Sequence, residues 1–138
     1  MSKKKRRQRN KGIPSVDVPG AKPLQFSFKH LETENEKFPV RGCSSEFWES
    51  LMQELQRYSF FTVDLFVEDD HADGRHVIDF EETTEPGGFK GMSGGEDSVA
   101  WQFALGQRQL GFRVVGYIVD DTFFIVWLDS NHALYPHN

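Results

Sequence analysis

The densest apolar pattern in the chain is Phe112–Leu128, FRVVGYIVDDTFFIVWL, two runs split by Asp120-Asp121. Val, Ile, Phe, Tyr and Trp fill both runs, and these side chains suit the pleated surface of a strand. The two-residue break predicts a tight hairpin, since Asp tolerates the positive φ such turns need. Closing the turn there pairs Val119 with Thr122 and Val114 with Trp127. One face then carries Val114, Gly116, Ile118, Phe123, Ile125 and Trp127. The other carries Val115, Tyr117, Val119, Phe124, Val126 and Leu128. Apolar residues on both faces predict central strands covered on both sides. Gly116 reads as a point of close packing against a large neighbour.

Three further patterns surround the hairpin. Leu24–His30 alternates Leu24, Phe26, Phe28 and His30 with polar residues, the pattern of a half-buried strand. Ser44–Tyr58 has a Ser cap, acids in its first turn and a stripe of Phe47, Leu51, Leu55 and Tyr58 widened by Trp48 and Met52, which predicts a helix lying on the sheet. Val99–Leu105 alternates strictly with period two and predicts a strand leading through Gly106–Gly111 into the hairpin. Phe60–Val67 fits either a strand or a short helix capped by Thr62, the helix slightly better. Glu68–Gly95 reads as a long acidic loop containing a short strand near His76–Phe80. The fold expected is α+β over residues 24–138: an antiparallel sheet with a C-terminal three-stranded meander and one main helix packed on it.

Charge changes this picture most. Residues 1–11 carry seven cations (Lys3, Lys4, Lys5, Arg6, Arg7, Arg9 and Lys11) and no acid, whereas the other 127 residues carry nine Lys or Arg against 21 Asp or Glu, a net −12. Residues 1–23 therefore read as a disordered basic arm, interrupted by Pro14, Pro19, Gly20 and Pro23. Such an arm fits RNA, DNA or the ribosome; a solubilising tail, or a segment folded back on its own acidic body, accounts for it equally. The body as a whole should repel phosphates. No apolar run reaches membrane-spanning length, and the basic start lacks the apolar stretch of a secretory signal. A single cysteine, Cys43, excludes an internal disulfide and fits a reducing, cytoplasmic compartment.

Four stretches hold chemistry-bearing side chains. Asp69–His76 has metal-ligand density, but a calcium loop would need a carboxylate where Phe80 stands, and His71 and His76 lack a second pair for zinc. A solvated acidic loop explains it better, and no metal or cofactor is expected. His76, Asp79, Glu81 and Glu82 lie beside apolar Ile78 and Phe80, where a general base could have a shifted pKa; a charged turn at a strand edge is the plainer reading. Arg113, Asp129, His132, Tyr135 and His137 would converge if the tail folds over the hairpin's open end. RNA cleavage through the 2′-hydroxyl needs a base, an acid and a cation for the phosphate. The histidines, Tyr135 and Arg113 could supply them. A tail closing one end of the core, with Asp129 and His132 bonding turn backbone, accounts for the same residues. Finally, Gln107–Phe112 resembles the Q-x-x-L-x-F peptide that docks on the bacterial sliding clamp, but Phe112 borders a central strand and should not be free.

The strings DDTFFIVWLDSNHALYP, WQFALG and RHVIDFEETTEPGGF, with the FKHL–helix segment, resemble a little-characterised family of small bacterial proteins over roughly residues 25–138. Those proteins are distantly similar to RelE-like ribonuclease toxins of toxin–antitoxin and phage-defence modules. The resemblance implies a metal-independent, RNA-acting toxin or defence effector with an antitoxin or other protein partner. It points to Asp129, His132 and Tyr135 in the tail and to His76, Asp79 and Glu82 before it. The −12 body departs from that pattern, because such ribonucleases are typically basic over the surface that grips RNA. The alternative expected is a non-enzymatic binding module, with an acidic body for a protein partner and a basic arm for nucleic acid or ribosome.

Overall fold

A computed structural model describes residues 22–68, 74–90 and 99–135. Five strands form one sheet in the order β1-β5-β4-β3-β2. They are β1 (Gln25–Ser27), β2 (His76–Val77), β3 (Ala100–Ala104), β4 (Arg113–Val119) and β5 (Thr122–Asp129). The β3-β4-β5 meander is antiparallel, as its sequence predicts. The expected all-antiparallel sheet is corrected at one edge, where β1 runs parallel to β5. The chain between them contains the helices α1 (Ser45–Tyr58) and α2 (Val63–Glu68) and returns through β2, β3 and β4, so no tight turn dictates antiparallel pairing.

Local chemistry explains the helices. The Ser44 hydroxyl accepts the Phe47 amide at 3.1 Å and starts α1; losing such a cap costs about 1 kcal/mol. Phe47, Leu51 and Tyr58 are buried against the sheet and Leu55 is half-buried. Trp48 joins them, but Met52 is 53% exposed, so the stripe is narrower than its apolar residues suggest. The alternating Phe60–Val67 segment resolves as helix: the Thr62 hydroxyl accepts the Leu65 amide at 3.2 Å and Phe66 enters the core. Arg75 is buried beneath it, its guanidinium donating to the Phe66 carbonyl and lying over the Tyr58, Phe61 and Phe66 rings.

The sheet has two cores. On one face α1 and α2 cover Trp101, Phe103, Val114, Phe123, Ile125 and Leu128. On the other, loop residues Phe38, Ile78, Phe80 and Phe89 and tail residue Leu134 cover Ala100, Val115, Tyr117, Val126 and Trp127. Coverage of both faces is what the apolar hairpin requires.

Registration of the hairpin differs from the expected one. Asp120 takes φ 56° and Val119 pairs with Thr122 as predicted. Val114, however, pairs with Leu128, because Val115 pairs with Trp127 and Gly116 with Ile125. Val126 is the extra residue of a β-bulge, and beyond it every side chain changes face. Trp127 therefore packs with Phe38 and Phe89, and Leu128 joins the helix side. The close packing at Gly116 is as expected: a Cβ there would collide with the Phe124 carbonyl oxygen and the Phe123 ring.

The predicted strand Leu24–His30 shortens to three residues. A turn carries the Leu31 amide to the Phe28 carbonyl at 3.0 Å, leaving Phe28 largely exposed. His30 crosses to the other face, stacked on Tyr117 and tilted against Phe124. Pro23, at the edge of the expected arm, bridges to Thr62. Residues 1–21, with all seven arm cations, lie outside the described residues, as do residues 69–73, 91–98 and 136–138.

Candidate functional site

Two anchors fold the tail after β5 back over the loop-covered face. Asp129 ends β5 and is 1% exposed. Its Oδ1 accepts the Ala133 amide at 2.8 Å and its Oδ2 the Leu134 amide at 2.9 Å. From the opposite side, the Thr84 amide donates to the Leu134 carbonyl at 2.7 Å and the Thr84 hydroxyl to the Ala133 carbonyl at 2.7 Å. Leu134 is thereby driven fully into the second core. Asp129 is thus a buried cap for the tail turn, with both carboxylate oxygens in use.

Folding the tail back brings Tyr135 to β2. Its ring meets that of His76 edge-on, 5.5 Å between centroids. His76 pairs with Gln102 across β2 and β3, and its Nε2 lies 3.1 Å from the Gln102 amide nitrogen. His76 Nδ1 lies 3.0 Å from the Val77 carbonyl oxygen. Both contacts are satisfied by the neutral ring with the proton on Nδ1, which donates to Val77 and leaves Nε2 to accept from Gln102. Burial raises the Tyr135 phenol above its ordinary range, and the carboxylates of Glu82 and Asp79 raise it further, against a hydrogen bond from the Asp79 backbone. Asp79 also accepts the Glu81 amide at 3.1 Å, opening the single 3-10 turn Phe80–Glu82. Hence Tyr135, named with the tail from the sequence, comes to His76, Asp79 and Glu82, which were named together.

Arg113 and His132 belong to the sheet end where β4 begins. Arg113 stands opposite Asp129 in the β4–β5 register, and its Nη1 donates to the Phe112 carbonyl at 2.9 Å. His132 adopts φ 55° and packs on Gly111, where an added Cβ would come within 3.2 Å of the His132 Cβ. His137 lies outside the described residues. Phe112 packs edge-on against Phe47 at 5.2 Å, so the clamp-like Gln107–Phe112 segment has its aromatic anchor engaged in the core.

Two participants escape the sequence reading. Gln102 sits in an alternating strand whose polar positions predict a solvent-facing side, yet it is 4% exposed. Its only advance signal is its small neighbours Ala100 and Ala104, which leave room for a covering layer. Cys43 lies against the Asp129 turn. Burial pushes its thiol up and Asp129 adds to this, while a hydrogen bond with Ser130 works in the opposite direction.

Among the described residues no group of three or more His, Cys, Asp and Glu side chains is arranged to hold a metal ion. Nor is any described helix long and apolar enough to cross a membrane. No protein-family model matches the chain, and no curated protein or solved structure is significantly similar to it.

Proposed function

We propose that the protein is a binding module: its acidic folded body engages a basic protein partner, and Lys3–Lys11 engage the phosphates of nucleic acid or ribosomal RNA. The observation that carries this reading is the composition of the corner at Tyr135. The His76 ring meets the Tyr135 ring there and the carboxylates of Glu82 and Asp79 act on its phenol, a field that attracts a cation and repels a phosphate. Asp129, the other carboxylate suggested for chemistry, is committed to two backbone amides. The arm supplies the opposite charge, seven cations in eleven residues.

Salt dependence separates the two halves of the proposal. Binding of the full chain to single-stranded RNA should weaken steeply with salt, with a slope of about −0.7 per phosphate neutralised. Deleting residues 1–11 should abolish it while leaving the binding of an arginine- and lysine-rich peptide in place. RNA binding that survives the deletion would remove the arm's proposed role. Failure of every basic peptide to bind would remove that of the body.

A second reading, an RNA-cleaving toxin or defence effector, draws on Arg113, Asp129 and His132 sharing one end of the β4–β5 pair. Here Arg113 would steady the phosphate, and His132, with Tyr135 or His76, would move the protons. Expression should then arrest growth and degrade RNA, and His132→Ala should relieve both. Arrest that persists without His132 and His137 would eliminate this chemistry.

A further inference from the structure

We propose that the corner formed by His76, Gln102 and Tyr135, edged by Asp79 and Glu82, receives an arginine side chain of the basic partner. The inference rests on the binding-module reading and names the contact within it. Its starting point is Gln102, 4% exposed, whose Oε1 is buried and has no hydrogen-bond partner among the described residues. The Gln102 amide turns its nitrogen toward His76 Nε2 and leaves its oxygen over. With Nδ1–H on the Val77 carbonyl, Nε2 is an acceptor and takes the Gln102 N–H, so the oxygen is the vacant end. A buried carbonyl without a donor is unfavourable, and a ligand N–H that reaches it recovers that loss.

The surroundings select the kind of donor. Glu82 and Asp79 are exposed and lie close enough to Tyr135 to raise its phenol, so the mouth of the corner is negative. Tyr135 offers an aromatic wall. A guanidinium suits all three at once. It is planar, it carries five N–H donors for one amide oxygen and a carboxylate, and it stacks on a ring. An ammonium supplies the charge but neither the flat face nor the fork. Because the Gln102 oxygen is buried, the group enters as the Tyr135 ring gives way; Tyr135 lies one residue beyond Leu134, the last amide held by Asp129.

The test is a two-dimensional nitrogen–proton NMR titration of the full chain with acetyl-Gly-Arg-Gly-amide, its citrulline counterpart and its lysine counterpart. The arginine peptide should shift the Gln102 side-chain amide and the His76 and Tyr135 resonances. Citrulline, of similar shape but uncharged, should not, and lysine should bind several-fold more weakly. Gln102→Leu should weaken the arginine peptide about tenfold, the effect of losing one hydrogen bond to a charged group. Glu82→Gln, at an exposed position that leaves the fold undisturbed, should weaken it about threefold. If Gln102→Leu unfolds the chain, the Glu82→Gln result and the shift map decide. Equal response to lysine or citrulline, or shifts confined to other surfaces, overturns the assignment. If a longer basic peptide binds but neither substitution alters it, the corner is wrong and the acidic-body reading stands. If no basic peptide binds, the reading beneath it fails too.

Discussion

The Glu32 carboxylate accepts the indole N–H of Trp127 at 2.7 Å, and the Glu32 amide donates to the carbonyl of Val126, the extra residue of the β5 bulge, at 3.0 Å. One residue from a distant loop therefore satisfies the backbone that the bulge frees and fixes the tryptophan the bulge redirects. Asn35 supports the arrangement through a hydrogen bond to the same Glu32 oxygen at 2.9 Å. Glu32→Ala should cost about 2 kcal/mol in urea unfolding, from loss of a charge-assisted bond to a buried indole. Trp127 should also report the change in its fluorescence. A loss below about 0.5 kcal/mol would show that the bulge holds its register without Glu32.

Asp129→Ala should be the more damaging change, about 3 kcal/mol, because it strands two amides under the tail turn. Asp129→Asn retains one good acceptor and should lose roughly half as much. Hydrogen exchange at the Ala133 and Leu134 amides gives a local check, since both should lose protection together in Asp129→Ala. Protection that is unchanged would mean that Thr84 alone holds the tail.

Gly116→Ala forces a methyl group against the Phe124 carbonyl and the Phe123 ring. β4 and β5 must separate or the bulge must move, so a loss of at least about 2 kcal/mol is expected from denaturant melts. A stability within about 0.5 kcal/mol of the parent, the range of an ordinary surface change, would mean that the strands are not packed as closely as described.

The tyrosines set an alkaline limit. Burial raises both Tyr117 and Tyr135 from the ordinary value of 10.0, so the folded state favours the protonated phenols. Their contribution is complete below pH 10.0 and is lost as pH rises through the folded-state values, because the unfolded chain releases these protons first. Urea midpoints should fall above that pH, and Tyr135→Phe should fall less steeply than the parent. Parallel slopes for the two proteins would deny Tyr135 a share in the effect.

Much of this was legible because some signals are local. Hairpin closure at Asp120-Asp121, the Ser44 cap, the period-two run Val99–Leu105 and the need for cover on both faces depend on neighbours in sequence. The tail turn was legible as one of two readings. Asp129 proves to bond backbone, Arg113 stands opposite it where β4 begins, and Tyr135 meets His76 of β2.

By itself the sequence determined the α1 helix, the meander and the charge division between arm and body, because side-chain period, caps and net charge need no tertiary information. Only the tertiary structure decided that β1 runs parallel to β5, that Val126 bulges and exchanges the faces of Trp127 and Leu128, and that Gln102 is buried beside His76. Each of those depends on partners tens of residues away: Glu32 for the bulge, and Phe38, Phe80 and Leu134 for the second core. A periodicity that registers only near neighbours contains no trace of them.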